Sequence, residues 1–347
     1  MRRLRRPRAV IGALCAVLLL GAFRFTGFHD VRAKQAASRG AQWISGQQLA
    51  DGSFETAGFP GFETPDAVLA IAESAQTTPK WNKQRALHVI EDTTTNGVGV
   101  LHALDDFADS GIDAGQAAKL VVLDAKPLGI STTNFNPDHD KKKADLQAII
   151  KAGAQANGSY GAFNATLYAA IALRLTHGSV PAKTLAFIRD AQQANGGWNF
   201  AGDPTGTDDD IDTTGLAIQA LAAAKVSKND ATLRDALTFL ADRQQSTGAW
   251  QSFGSDDPNS TSVAVVAITA AGYNPYVACW RNASDPDLSG HPYTSPIVWL
   301  RGQQEANGHI RSPNDGFGVN TFSTSQTVEA LRREWTPVTP LGRQPCG

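Results

Sequence analysis

A short motif recurs along this 347-residue chain: Gln, three residues, Gly, one residue, then an aromatic. It stands at residues 48–54, 192–198 and 244–250, with looser copies at 154–160 and 304–310. Each copy follows a stretch of helical periodicity, and Gly just past the last periodic residue is a common helix stop. After each copy a polar loop leads into an Ala-rich apolar segment. These segments align at Thr64, Thr166, Thr214, Thr261 and Thr324, with a weaker start at Ala114, at separations of 50, 52, 48, 47 and 63 residues. Self-similarity at that period marks a repeat architecture.

The unit is longer than the roughly 34 residues of a tetratricopeptide repeat or the roughly 40–47 of a HEAT repeat. Six helical hairpins of this length predict an all-α (α/α)6 toroid, a double ring with one helix of each pair inside and one outside. Closure removes the capping repeats that an open solenoid needs. The Ala-rich helices belong inside, where small side chains let them converge, and should begin near Pro65, Gly115, Leu167, Gly215, Ser262 and Ser325. No sustained period-2 alternation and no Asn-Gly hairpin between β-branched runs is expected. The body reads as one domain over residues 35–347.

Residues 1–34 read as an export signal or signal anchor with a short linker. Six arginines lie in the first 24 residues, no acid precedes Asp30, and residues 9–23 form an apolar stretch too short to span a bilayer comfortably. That stretch is a membrane tether if it is not cleaved. The body is then secreted or held at the cell envelope. Without those arginines, 25 basic residues face 33 acidic ones, a net charge of −8, which excludes a nucleic-acid footprint. Two body cysteines, Cys279 and Cys346, predict a disulfide pinning the tail in an oxidising compartment. Neither has a His or Cys at zinc-ligand spacing, and alternate carboxylates at Asp208, Asp210 and Asp212 lack the Gly and Glu of a calcium loop, so no metal is expected.

The Gln–Gly–Trp repeats and the Asp-x-Asp-x-Thr helix start resemble the α/α-toroid superfamily: squalene-type (class II) terpene cyclases, protein prenyltransferase β-subunits and cobalamin carriers. The resemblance covers most of residues 36–335 and implies the fold before any activity. Class II cyclases carry D-x-D-D-T-A on an inner helix, the middle Asp protonating an alkene or epoxide. On that pattern Asp210 is the first Asp, Asp212 the proton donor, and Thr213 replaces the last Asp. The same residues also read as a helix cap, because Asn164 and Asn259 hold the place of Asp212 in sister repeats. Glu63 and Asp113 stand one residue before Thr64 and Ala114, and Phe322 breaks the polar pattern.

The aromatics Trp198, Phe200, Trp250, Phe253, Phe317 and Phe322 either line the mouth of a central cavity or lock hairpins to their neighbours. Glu63 and Asp212 also suit a glycosidase-like carboxylate pair. The leading expectation is an exported, non-catalytic toroid that binds an apolar, isoprenoid-like or cobalamin-like ligand, or a partner, in its cavity. It needs no cofactor, and Glu63, Asp113, Asn164, Asn259, Trp198, Phe200, Phe317 and Phe322 form the ligand site. The alternative is a class II cyclase-like enzyme using Asp212, with Asp210, as its acid.

Overall fold

The computed structural model describes residues 30–55, 61–78, 80–281, 293–313, 315, 320–333, 337 and 340–342. The signal segment, the tether stretch, Phe317 and Cys346 lie outside these residues. No helix among the described residues is long and apolar enough to cross a membrane.

The chain is 54% helical, and the helices fall into six units. The first unit is α1 (Val31–Ser45) and α2 (Thr64–Ser74). The second is α3 (Lys83–Glu91), α4 (Val100–Asp109) and α5 (Ala114–Leu120), which runs on through a π turn at Val121–Ala125 into α6 (Lys126–Leu128). The third holds α7 (Leu146–Ala152) and α8 (Phe163–His177), the fourth α9 (Ala182–Asp190) and α10 (Ile211–Ala223). The fifth is α11 (Ala231–Arg243) and α12 (Pro258–Ala270), the sixth α13 (Pro296–Gly302) and α14 (Thr321–Arg332). Helices α5, α8, α10, α12, α14 and α2 pack successively, and α2 meets the π turn that continues α5, so the expected ring closes. Their alanines, including Ala70, Ala117, Ala170, Ala220, Ala267 and Ala330, are fully buried and let six backbones converge.

Three boundaries differ from expectation. The fold begins before residue 35: Asp30 caps α1 by accepting from Arg32 N at 2.9 Å and receives the Tyr276 hydroxyl at 2.7 Å. The later inner helices start three or four residues earlier than the Thr markers suggest, because Asp210, Asp257 and Asn320 are their N-caps. Two short hairpins also interrupt the helices. β1 (Thr94–Thr95) pairs with β2 (Val98–Gly99) around Asn96 and Gly97, both at positive φ, which is the Asn-Gly turn between β-branched residues. β3 (Trp250–Ser252) pairs with β4 (Ser255–Asp257) around Phe253 and Gly254.

The repeat motif is a joint between units. The Gln48 amide donates to the carbonyl of Gly52 at 2.9 Å and to that of Thr93, in the next unit, at 3.2 Å. Gln192 bridges Gly196 and Thr232 at 2.8 and 2.9 Å, and Gln244 bridges Gly248 and Thr294 at 3.0 and 3.3 Å. Gln304 closes the circle by donating to Gly308 at 3.1 Å and to Ala36 of α1 at 2.7 Å. Each motif Gly adopts positive φ and lies against the neighbouring backbone. At Gly196 (φ +90°) a Cβ would come 2.4 Å from the Asp235 carbonyl oxygen.

The marker threonines serve the last residue of the same motif, an aromatic in all but the final copy. Thr64, Thr166, Thr214, Thr261 and Thr324 accept from the backbone N–H of Phe54, Tyr160, Trp198, Trp250 and Ile310 at 2.9–3.1 Å. Trp198 and Trp250 are fully buried, and their indole N–H groups donate to Ile188 and Leu240 at 2.8 Å. Both therefore lock a hairpin, and Trp198 does not line a ligand site.

Gly161 offers a control for the joint, since its φ is +97° with nothing near the missing Cβ. Gly161→Ala should cost only the left-handed strain of about 1–2 kcal/mol. Gly196→Ala should lose about 2 kcal/mol more, because its Cβ collides with backbone. Urea unfolding of the two variants measures the difference.

Candidate active site

A cavity of about 750 Å³ runs down the centre of the ring, a size suited to a small-molecule ligand. Each inner helix contributes one stripe at helical spacing: Asp66, Leu69 and Glu73 on α2, for example, and Asp212, Leu216 and Gln219 on α10. Leu69, Ile171, Leu216, Val263 and Val266 make much of its wall apolar. Phe62, Phe200 and Phe322 join the lining, with Phe62 and Phe322 in ring contact at 4.6 Å between centroids.

The acidic helix start divides its labour. Asp210 is the N-cap of α10: its Oδ1 accepts from Asp212 N and its Oδ2 from Thr213 N, both at 3.1 Å. Asp208 accepts from Asn199 Nδ2 at 3.2 Å, and Asp209 pairs with Arg243. Asp212 therefore does not cap. It sits in the first turn, where its carboxyl lines the cavity and one oxygen, Oδ1, is buried with no hydrogen-bond partner. Burial raises its pKa to about 7; the Asp210 charge adds to the rise, and the Ser260 hydroxyl opposes it. Thr213, in place of a third carboxylate, donates to Asp210 and lies 3.4 Å from Asn164 Oδ1.

The other expected site residues separate into two groups. Asp113, Asn164, Phe200 and Phe322 line the cavity together with Asp210 and Asp212. Asp113 also caps α5, accepting from Gln116 N at 2.8 Å. Glu63 and Asn259 do not line it. Glu63 is buried and hydrogen-bonds Thr321, tying the start of α2 to α14. Asn259 is buried and bonds Ser323 Oγ at 2.5 Å and Gln326 Oε1 at 3.3 Å. A Glu63–Asp212 catalytic pair is thereby removed, because Glu63 faces a helix junction.

Sequence reasoning missed a second polar cluster. Lys119 Nζ lies 2.7 Å from Asp66 Oδ2 and donates to the Phe62 carbonyl at 2.6 Å, with Phe62 and Phe322 ring centroids at 5.2 and 5.7 Å. Burial works to lower the Lys119 pKa, but the charge and hydrogen bond of Asp66, with Tyr168 and Glu55 adding to them, together hold the ammonium above its ordinary range. Glu329 Oε1 is buried without a partner, and burial together with Asp66 and Glu73 pushes its carboxyl well above the usual carboxylate range. Asp124, in the π turn, is fully buried with both oxygens unpartnered and is shifted the same way by desolvation. A lone acid within an apolar helix was the available signal, as in Val328-Glu329-Ala330 or Leu123-Asp124-Ala125.

Among the described residues one group of carboxylates could share a cation. Asp105, Asp138 and Asp140 have oxygens within 4.8 Å of one another, away from the cavity, and Asp138 is bonded to His102 at 2.7 Å.

No protein-family model matches the chain, and no curated protein matches it. Solved structures do. The type II terpene cyclase MstE from Scytonema, without ligand, is 15% identical and has a TM-score of 0.57, covering 87% of this chain and 98% of that one. A variant of MstE in complex with its substrate, geranylgeranyl dihydroxybenzoate, matches with the same TM-score and identity over 88% of this chain and 97% of that one. The α/α-toroid fold of the prenyltransferase and terpene cyclase kind is therefore the fold of this protein.

Proposed function

We propose that the protein is a class II terpene cyclase-like enzyme that protonates an isoprenoid in the central cavity with Asp212 as general acid. The observation that carries this reading is the half-buried Asp212, whose carboxyl lines the cavity with Oδ1 enclosed and unpartnered and whose pKa is raised to about 7. A general acid must be protonated in the resting enzyme and must reach the reacting atom. Burial and the neighbouring Asp210 charge meet the first condition, and the position on the cavity wall meets the second. The similarity to MstE, whose substrate is an isoprenoid derivative, supports the same class over the non-catalytic binder expected first.

The step needs no cofactor to balance. The Asp212 proton adds to a terminal alkene carbon and leaves a tertiary cation. Successive alkene electron pairs then close carbon–carbon bonds, and the last cation loses a proton that restores the Asp212 carboxyl, directly or through solvent, so the overall change is an isomerisation. The apolar wall excludes water that would otherwise capture the cation.

Purified protein incubated with squalene, oxidosqualene and geranylgeraniol should yield a cyclised product isomeric with one of them. Asp212→Asn should lower that turnover at least about 100-fold with helix content unchanged, since an amide donates no comparable proton. Absence of product from every isoprenoid supplied to the wild type would sink the reading.

The pH dependence has a defined sign. Asp212 must carry its proton, so activity should be level below about pH 7 and fall above it, following the pKa of about 7. Asp210→Asn preserves the cap but removes the neighbouring charge, and should move that descending limb to lower pH. A rate–pH profile of the two proteins checks both statements.

A further inference from the structure

Carboxyl groups, some ionised and some protonated, outnumber cations in the lining of the cavity. Asp66, Glu73, Asp113, Asp210, Asp212 and Glu329 line it, whereas Lys119 and Arg333 are the only cations in the lining among the described residues. Lys119 is committed to Asp66, to the Phe62 carbonyl and to two aromatic faces. The Arg333 guanidinium donates to the Ala330 carbonyl and lies 6.0 Å from the Tyr276 ring. Asp124, buried within the field of Asp66 and Lys119, adds a further carboxyl behind the lining. An anion entering this space loses its water and meets acids instead of a ready cation.

An uncharged chain meets a different surface. Methyl and methylene groups fit Leu69, Ile171, Leu216, Val263 and Val266. A hydroxyl has a partner in Glu329, whose Oε1 is buried, unpartnered and part of the lining. Because burial and the neighbouring acids keep that carboxyl protonated, it can donate to the hydroxyl oxygen.

We propose that the cavity selects uncharged isoprenoids, hydrocarbons or alcohols, and rejects diphosphate esters and free carboxylates, with the Asp66–Lys119 pair and Glu329 as the residues that set this preference. This rests on the reading of the cavity as an isoprenoid site. It separates the protein from its structural neighbour, whose substrate is a benzoate.

The test is direct binding of geranylgeraniol and geranylgeranyl diphosphate to the full chain, followed by calorimetry at fixed salt and neutral pH. The wild type should bind the alcohol at least tenfold more tightly. Asp66→Asn releases Lys119 as a cation, and Glu329→Leu removes the hydroxyl's partner while leaving the ion pair intact. Each should shift the affinity ratio toward the diphosphate by at least tenfold, and the second serves if the first fails to fold. A diphosphate bound as tightly as the alcohol by the wild type overturns the proposal. So does an affinity ratio that neither folded variant moves. Alcohol bound preferentially but never cyclised leaves the selection rule standing and removes the enzyme reading. Failure of both ligands to bind removes the isoprenoid site itself, and this proposal with it.

Discussion

The side-chain amide of a glutamine, shared between two backbone carbonyls, is the contact on which the ring depends. One acceptor is the carbonyl of the glycine four residues on, and the other belongs to the adjacent unit. The glycine carbonyl gains a partner within its own turn, and the second bond ties that turn to the backbone of the next unit, each bond contributing about 0.5–1.5 kcal/mol. The glycine has to be a glycine because the neighbouring backbone occupies the place of its Cβ. The aromatic two residues on fills the space beneath the joint, and the inner-helix threonine takes its N–H. One heptapeptide thus sets the spacing between units. The copy at residues 154–160 has Ala154 in place of Gln, yet Gly158 still abuts the Lys183 backbone, with 2.5 Å from its built Cβ to that carbonyl oxygen.

Six such spacings, repeated around a circle, bring the inner helices together with alanine at their contacts and leave a hollow at the centre. What faces that hollow is free to vary without loss of the joints, because the lining stripe and the packing stripe lie on different sides of each inner helix. On α10 the lining stripe carries an acid, Asp212, while the capping duty that would otherwise consume it falls to Asp210 two residues earlier. On α2 and α14 it carries Asp66, Glu73 and Glu329. For Asp212 and Glu329 burial makes ionisation costly and favours the neutral acid, whereas Asp66 has Lys119 as its counter-ion. Stability comes from the joints, and the chemistry comes from the residues the joints do not use.

The ring was legible in the sequence because the joint is a local pattern with a fixed period. The threonine markers were visible too, although their use as acceptors for the aromatic N–H was not, since it spans 6 to 16 residues of loop. The site was legible only in part. Asp212 could be found by its motif, but cap and acid could not be told apart until the cap was seen at Asp210. Polar residues two places before each threonine look equivalent in the alignment, yet Asn164 lines the cavity while Asn259 is spent on Ser323 and Gln326. Asp124 is harder still. The π turn at Val121–Ala125 inserts a residue into the helical register, so counting by 3.6 assigns its side chain to the wrong face. Thr94–Gly99 shows the opposite failure: the Asn-Gly signal was present in the letters and was overlooked among helices.

The closing joint joins residues 268 apart, Gln304 and Ala36. A chain emerging from the ribosome therefore carries α1 for most of its synthesis with one flank unpartnered, until the sixth unit exists to receive it. The earlier joints reach only 40 to 50 residues ahead and can form in order as the chain lengthens. Assembly of such a molecule divides into a fast, sequential growth of an arc and one long-range latching step, whose loop-closure entropy is charged to a single contact region. A circular permutant opened at another inter-unit joint would move that latch to a new place on the circle. Its folding rate would then report the strength of each joint in turn.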